Sequence, residues 1–533
     1  MIVTPLQQPR TSPTPDRGTI RILEPSTAQL IPIALAALVL AVAVLTVTPW
    51  PVGAFEDDAI YTVLGKSLAE GQGYRLINLP GAPNATHFPP GYPALIAVMW
   101  KLWPAFPDNL VLLKFANALL LGLAAAGTYL FAERRLGLSR LASAITALGA
   151  TLSVVILLLS GMVLSEPLFL ALLLPTLLVA ERAIESGRAR DAFVAGVLLA
   201  VLSLVRTLGL FAIPAALGLL LWRRRYAAAI ALAIGAGLLI VPWQLWVALH
   251  QHEVAPIIAG KYGSYTGWVA QGYVDGGVQF LWRVLERNAL DLFRVMSYLH
   301  APVDLLWPRI ISFTALFSLI VFGARNLTRR APVTVVFMAM YFAVVMIWPF
   351  EPNRFLLGLW PVLALCAAMG VRGILQWQPT RQLTFVRYAA VALCVGLAIG
   401  AATYNGRGYH NSWWVNVQKK GGERLKPIVE WVAHNTAMSD VIATDHDPAV
   451  YLYTGRRAVP TSTWMVRERV HPLSAEEDVN AVRQLLSELR PEYYVPTSVI
   501  GMNTASALAR SKPPVLRYLG ATPNGAAFKR VAQ

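Results

Sequence analysis

Apolar residues in this chain are gathered into long runs. They cover 30–47, 109–131, 141–159, 167–180, 192–206, 208–222, 227–247, 305–322, 333–348, 355–369 and 388–402. A bilayer core needs about 20 such residues per helix, so the pattern predicts a polytopic α-helical membrane protein with about 11 transmembrane helices. The adjoining runs 192–206 and 208–222 are too short for two ordinary spans and read as a short hairpin. The first run lacks a small-residue cleavage pattern and is followed by many more. It therefore reads as an anchor helix, not a removed signal peptide.

Arginines occupy alternate connections: Arg134, Arg135 and Arg140; Arg182, Arg188 and Arg190; Arg223 to Arg225; Arg325, Arg329 and Arg330; Arg372, Arg381 and Arg387. Cytoplasmic loops carry this bias. It assigns these connections to the cytoplasm, together with a tail over 1–28 that holds Arg10, Arg17 and Arg21. The transmembrane domain then covers 29–404, with outer loops at 50–108 and 248–304. Residues 405–533 fall on the outer side, which predicts a multi-pass plasma (inner) membrane protein with its working face and C-terminus extracytoplasmic.

From 405 onward charged residues return. Helical patterns over 422–435 and 475–489 alternate with β patterns over 440–444, 493–496 and 515–519. A small C-terminal α/β domain is expected there. No internal repeat or low-complexity segment is visible.

Composition agrees with the pattern. Of 533 residues, 56% are hydrophobic and 14% charged, against about a quarter charged in soluble domains, and the mean hydropathy is +0.53. These values exclude a soluble enzyme, a disordered chain and a fibre. The net charge of +16 is explained by the arginine loops, so no nucleic-acid partner is expected. Cys366 and Cys394 both lie in apolar runs, which argues against a disulfide framework or a cysteine metal site.

The first outer loop carries the chemistry. Phe55-Glu56-Asp57-Asp58-Ala59-Ile60-Tyr61 follows the first run, then Ala69-Glu70-Gly71-Gln72-Gly73-Tyr74, then His87-Phe88-Pro89-Pro90-Gly91-Tyr92-Pro93. Three consecutive acids at a membrane surface also suit a plain hydrated loop. Their order and sidedness, however, resemble the GT-C superfamily of membrane glycosyltransferases, in its dolichyl-phosphate-mannose–protein mannosyltransferase-like and aminoarabinose-transferase-like (glycosyltransferase 39-like) branch. Asp57, Asp58 and Tyr61 fall on that branch's acidic motif, and Pro89, Pro90 and Tyr92 on its Pro-Pro segment. Leu164-Ser165-Glu166-Pro167 matches the acid after the third span, and Asn353-Arg354-Phe355-Leu356-Leu357 a later Arg-aromatic motif. Aminoarabinose transferases carry lysine immediately before Pro-Pro; here Phe88 stands there, after His87. That departure argues against carrying over a lipid A acceptor.

The resemblance implies an inverting glycosyltransferase that moves a sugar from a polyprenyl-phosphate donor to an acceptor hydroxyl on a glycan, lipid or protein. A phosphate leaves as a stable anion, so the chemistry needs one base for the acceptor and cations for the phosphate, unlike glycoside hydrolysis with its two carboxylates. Asp57 is the expected base, with Asp58 as the alternative or as an orienting partner. Tyr61, His87, Glu166, Arg206, Lys261 and Arg354 are the expected substrate or lipid-phosphate residues. Plain alternatives stand beside several of them. Glu166 suits a helix start, Arg354 suits snorkelling, and Lys261 among Tyr262, Tyr265 and Trp268 suits an interfacial belt. Arg206 is costly in lipid and is expected to face a cavity.

No cofactor is required by this chemistry. A divalent cation is compatible with it, but the spacings in His250-Gln251-His252-Glu253 and Asp445-His446-Asp447 do not converge three ligands from one element. Asn84-Ala85-Thr86 matches a glycosylation acceptor pattern. Two rival readings remain: a transporter or flippase of lipid-linked sugars, for which charged sites near mid-membrane and repeats are expected, and a non-catalytic relative.

Overall fold

The computed structural model describes residues 27–531, apart from positions 54 and 471. The expected tail over 1–28, up to position 26, and the side chain of Trp268 lie outside the described residues. Among those residues, five helices are long and apolar enough to cross a bilayer: Leu110–Arg135, Glu166–Ser186, Tyr226–His250, Leu306–Leu327 and Arg381–His410. Arg140–Thr151 and Val154–Ser160 form a further pair bent by 58°. Leu30–Leu45, Thr207–Trp222, Pro332–Ile347 and Trp360–Gln376 are shorter apolar helices. The 192–206 run forms the helix Ala189–Val205.

Lipid tails drive no hydrophobic association between helices, so close approach at small residues matters. Gly196 packs on the backbone of Leu232 and Gly235 on that of Phe193, pairing Ala189–Val205 with Tyr226–His250. Gly323 and Gly370 do the same between Leu306–Leu327 and Trp360–Gln376. The arginine connections gather at one end. Arg372 donates to the carbonyls of Leu136 (3.1 Å) and Gly137 (2.8 Å), and Arg135 pairs with Glu185 at 2.7 Å.

The opposite end carries the acid motif. Segment 50–108 holds the helices Asp57–Ala69 and Gly91–Leu102. Segment 248–304, expected as a loop, is largely the helix Tyr265–His300, kinked at Gly277. Its charges recur every few residues, so no apolar run announced it. Asn288 on this helix donates to the carbonyls of Val345, Met346 and Trp348. Helix-end carbonyls lack intrahelical partners, and capture of these three fixes the segment leading into Arg354.

The tail is built on a five-stranded mixed sheet. β1 (Ile442–Thr444) pairs parallel with β2 (Ala458–Val459) and β3 (Tyr493–Val495), and β5 (Gly525–Arg530) pairs antiparallel with β3 and with β4 (Leu516–Thr522). Trp413–Asn435 and Ala475–Leu489 are the two expected helices, the second opened by a Ser474–Glu477 capping box. The sheet and segment 50–108 share one core, with Val52 and Ile60 in the same cluster as Ala443 and Val459. Buried Lys114 ties the two together by donating to the carbonyls of Thr48 and Trp50, both at 2.8 Å, and to Gln418 at 3.3 Å.

Candidate active site

Four chain-distant segments meet at the acid end. Pro352 opens the short helix Pro352–Leu357, and its third residue is Arg354. Glu166 begins Glu166–Ser186. Arg206 breaks the hairpin: its backbone is extended (φ −144°, ψ 129°) between Ala189–Val205 and the turn Thr207–Phe211. Gly91, after Pro89-Pro90, lies directly on the backbone of Leu204. A larger residue there would push the hairpin away, which gives the Pro-Pro-Gly step a packing role beside Arg206.

The central feature is a chain of alternating charges. Arg354 Nε and Nη2 both donate to Glu166, the second at 3.3 Å, and Nη1 donates to Asp57. Arg206 Nη1 lies 2.7 Å from Glu166 Oε1 and also donates to Ser165 Oγ at 3.2 Å. Glu166 is wholly buried, whereas the Asp57 side chain keeps 33% exposure. Two arginines thus compensate two carboxylates, and the fork matches the planar geometry that arginine recognises. Asp57 is the acid that remains open.

It opens into a cavity of about 470 Å³. Around it stand Glu56, His87, Tyr265, Arg354 and, on the helix Tyr265–His300, Arg287. Arg287 donates to the carbonyl of Pro349 at 2.8 Å. It lies in a segment without an apolar run or a recognisable motif, and no signal in the sequence singled it out.

The neighbouring acid has a different environment. Asp58 is 2% exposed, and its Oδ1 accepts from the backbone N–H groups of Gly53 (3.1 Å) and Ala59 (2.8 Å). Burial pushes its carboxyl up to about 6, against the pull of those two N–H groups. Asp58 therefore fastens the turn that presents Asp57.

Tyr61 OH is 3.1 Å from Ser165 Oγ, and its ring meets Phe88 and Tyr92 edge-on. His87 Nδ1 lies 2.7 Å from the carbonyl oxygen of Gly263, so it must carry the donated proton, and the ring packs on Tyr265. Burial holds this imidazole down at about 4, so it is neutral at physiological pH.

Lys261 is brought near the site, yet its ammonium is already matched. Nζ sits 2.5 Å from Glu56 Oε1 and 2.5 Å from Asp447 Oδ1. These two carboxylates hold its pKa above the ordinary value against the effect of burial. Asp447 also accepts from Tyr262. Glu56 and Asp447 come from separate segments, and the sequence alone does not assign either to Lys261. The structure gives it the task of joining the C-terminal sheet to Glu56, the residue before Asp57. Glu56 itself has φ +59°, a region costly for side-chain-bearing residues, so a firm anchor there has a purpose.

The two clusters weighed as metal ligands serve as staples. Glu253 accepts from Asn84 N (2.8 Å) and Nδ2 (2.9 Å) and from His250 Nδ1 (2.6 Å). Asp445 accepts from Thr497 and Ser498 within its own domain. Among the described residues no three His, Cys, Asp or Glu side chains are grouped to hold a metal.

No family model matches the sequence, and no curated protein matches it. Solved structures do. ArnT from Cupriavidus metallidurans bound to undecaprenyl phosphate aligns with 95% of this chain and 98% of its own, at 13% identity and a TM-score of 0.55. The apo form of the same protein aligns with 95% of this chain and 99% of its own, at 13% identity and a TM-score of 0.52. ArnT is an aminoarabinose transferase. At this identity the likeness is one of fold: over nearly its whole length this chain has the fold of ArnT.

Proposed function

We propose that the protein is an inverting glycosyltransferase that takes a sugar from a polyprenyl-phosphate donor. One observation carries this reading: Asp57, the exposed acid of a buried charge chain, faces a cavity that also presents Arg354 and Arg287. Asp57 accepts the proton of an acceptor hydroxyl as the new oxygen–C1 bond forms. The C1–oxygen bond to the phosphate breaks, and its electron pair leaves on the lipid phosphate. Displacement is in line, so the anomeric centre inverts.

Arg354 and Arg287 both line the cavity beside Asp57 and are the cations offered to a donor phosphate there. Ser165, Tyr61, Asp58 and Lys261 act by positioning. The ArnT neighbour holds undecaprenyl phosphate, which favours a donor of that chemistry here.

The same reading places the site and 405–533 outside the cytoplasm, in a bundle of about 11 spans in the plasma membrane, with an acceptor glycan, lipid or protein. The test is binding of undecaprenyl phosphate to the purified chain. Wild type should bind, and Arg287→Gln should weaken binding roughly tenfold or more, the scale of a lost charge-assisted hydrogen bond. No binding by wild type would refute the donor class.

A further inference from the structure

Far from Asp57, a cleft of about 1060 Å³ runs between Leu306–Leu327, Trp360–Gln376 and Thr384–His410. This is the top of the usual ligand-pocket range of about 300–1,000 Å³. It is lined from Ile310 to Asn326 along one helix, or about 24 Å at 1.5 Å per residue. The walls are hydrocarbon, with Ile311, Phe322, Met369, Leu393 and Leu397 among them. Only 6% of the apolar stretch of Arg381–His410 is buried in protein, so this side is open to lipid.

The charged residues gather at one end, Arg329, Arg330 and Arg372, with Asn326 beside them. Arg330 and Arg372 donate to backbone carbonyls at Leu136 and Gly137, which bring no negative charge. The acids of the adjoining connections, Glu133, Glu181 and Glu185, pair instead with Arg140 and Arg135. Among the described residues, none of the three cleft arginines enters a salt bridge. Three positive charges therefore stand uncompensated at the mouth of an apolar cleft, at the end of the bundle opposite the acid site.

We propose that this cleft binds an anionic phospholipid of the bilayer. Its phosphate rests on Arg329, Arg330 and Arg372, and its acyl chains lie along the helix walls. Guanidinium groups fork onto phosphate oxygens, and basic pockets between transmembrane helices take anionic headgroups. A polyprenyl-phosphate donor bound here would carry its phosphate at the wrong end for Asp57, which favours a structural lipid.

The test is native mass spectrometry of the full chain in detergent, titrated with phosphatidylglycerol or phosphatidylcholine of identical acyl chains. Phosphatidylglycerol should bind roughly tenfold or more tightly. Ser318→Trp, at an exposed position in the wall, should abolish the tight adduct without changing the melting temperature of the lipid-free protein. Arg329→Ala should reduce the preference severalfold. Equal binding of the two lipids would overturn the proposal, as would a preference untouched by Ser318→Trp. Displacement of phosphatidylglycerol by undecaprenyl phosphate would overturn the assignment to a bilayer phospholipid.

Discussion

Arg354 grips both carboxylate oxygens of Glu166 with Nε and Nη2, which leaves Nη1 for Asp57. A lysine offers a point charge on a flexible stem and lacks the planar fork that meets both Glu166 oxygens and Asp57 in this geometry. Arg354→Lys is therefore expected to misplace Asp57 and lower transfer by roughly 100-fold, the scale of a misplacement of about 1 Å. Membrane insertion should be unchanged. Transfer at wild-type levels would reduce Arg354 to a snorkelling residue.

Asp58 gives a pH signature distinct from catalysis. Its carboxyl is raised from 3.8 to about 6 in the folded chain, so between those values the folded state holds more protons than the unfolded. Stability from this group therefore falls as pH rises from about 4 to about 6, and the cost is complete above that. Asp58→Asn keeps an acceptor for Gly53 and Ala59 but cannot titrate. Relative to that variant, wild type should lose at most about 3 kcal/mol across the window. Thermal unfolding in one detergent at pH 4.5, 5.5 and 7 measures it, and a constant difference between the two proteins would contradict the assignment.

The Lys261 contact predicts coupling between the C-terminal sheet and the acid motif. Lys261→Met leaves Asp447 buried without its cation, which typically costs about 3–5 kcal/mol. Adding Asp447→Asn should restore much of that stability. A double variant no more stable than Lys261→Met would show that the pair is not the reason for the loss.

Sidedness rests on the arginine connections. A reporter fused after Gln533 should be active only outside the cytoplasm, and one inserted near Arg224 only inside. The opposite result at either site would invert the proposed topology.

The helices and the strand patterns of the tail were legible because apolar runs and alternation are local signals. The charge chain was legible in part: Asp57, Glu166, Arg206 and Arg354 were singled out, and the fold brings all four together. Their pairing was not, since contacts as distant in sequence as Asp57 and Arg354 leave no periodic trace. The partners of Lys261, Glu56 and Asp447, come from separate segments, so this pairing left no local signal either. Asp57 and Asp58 look alike in sequence, and only burial separates the open acid from the one that braces the turn. The helix Tyr265–His300 escaped notice because its amphipathic face carries too many charges to read as a span, and Arg287 went with it.

Mass spectrometry of lipid-linked sugars and envelope glycans from cells carrying wild-type protein or Asp57→Asn tests the central claim most directly. Removing a general base commonly costs about two to four orders of magnitude. The account predicts that Asp57→Asn, expressed at normal levels, removes one glycosylated product while its polyprenyl-phosphate sugar accumulates. Identical profiles from the two strains would contradict it.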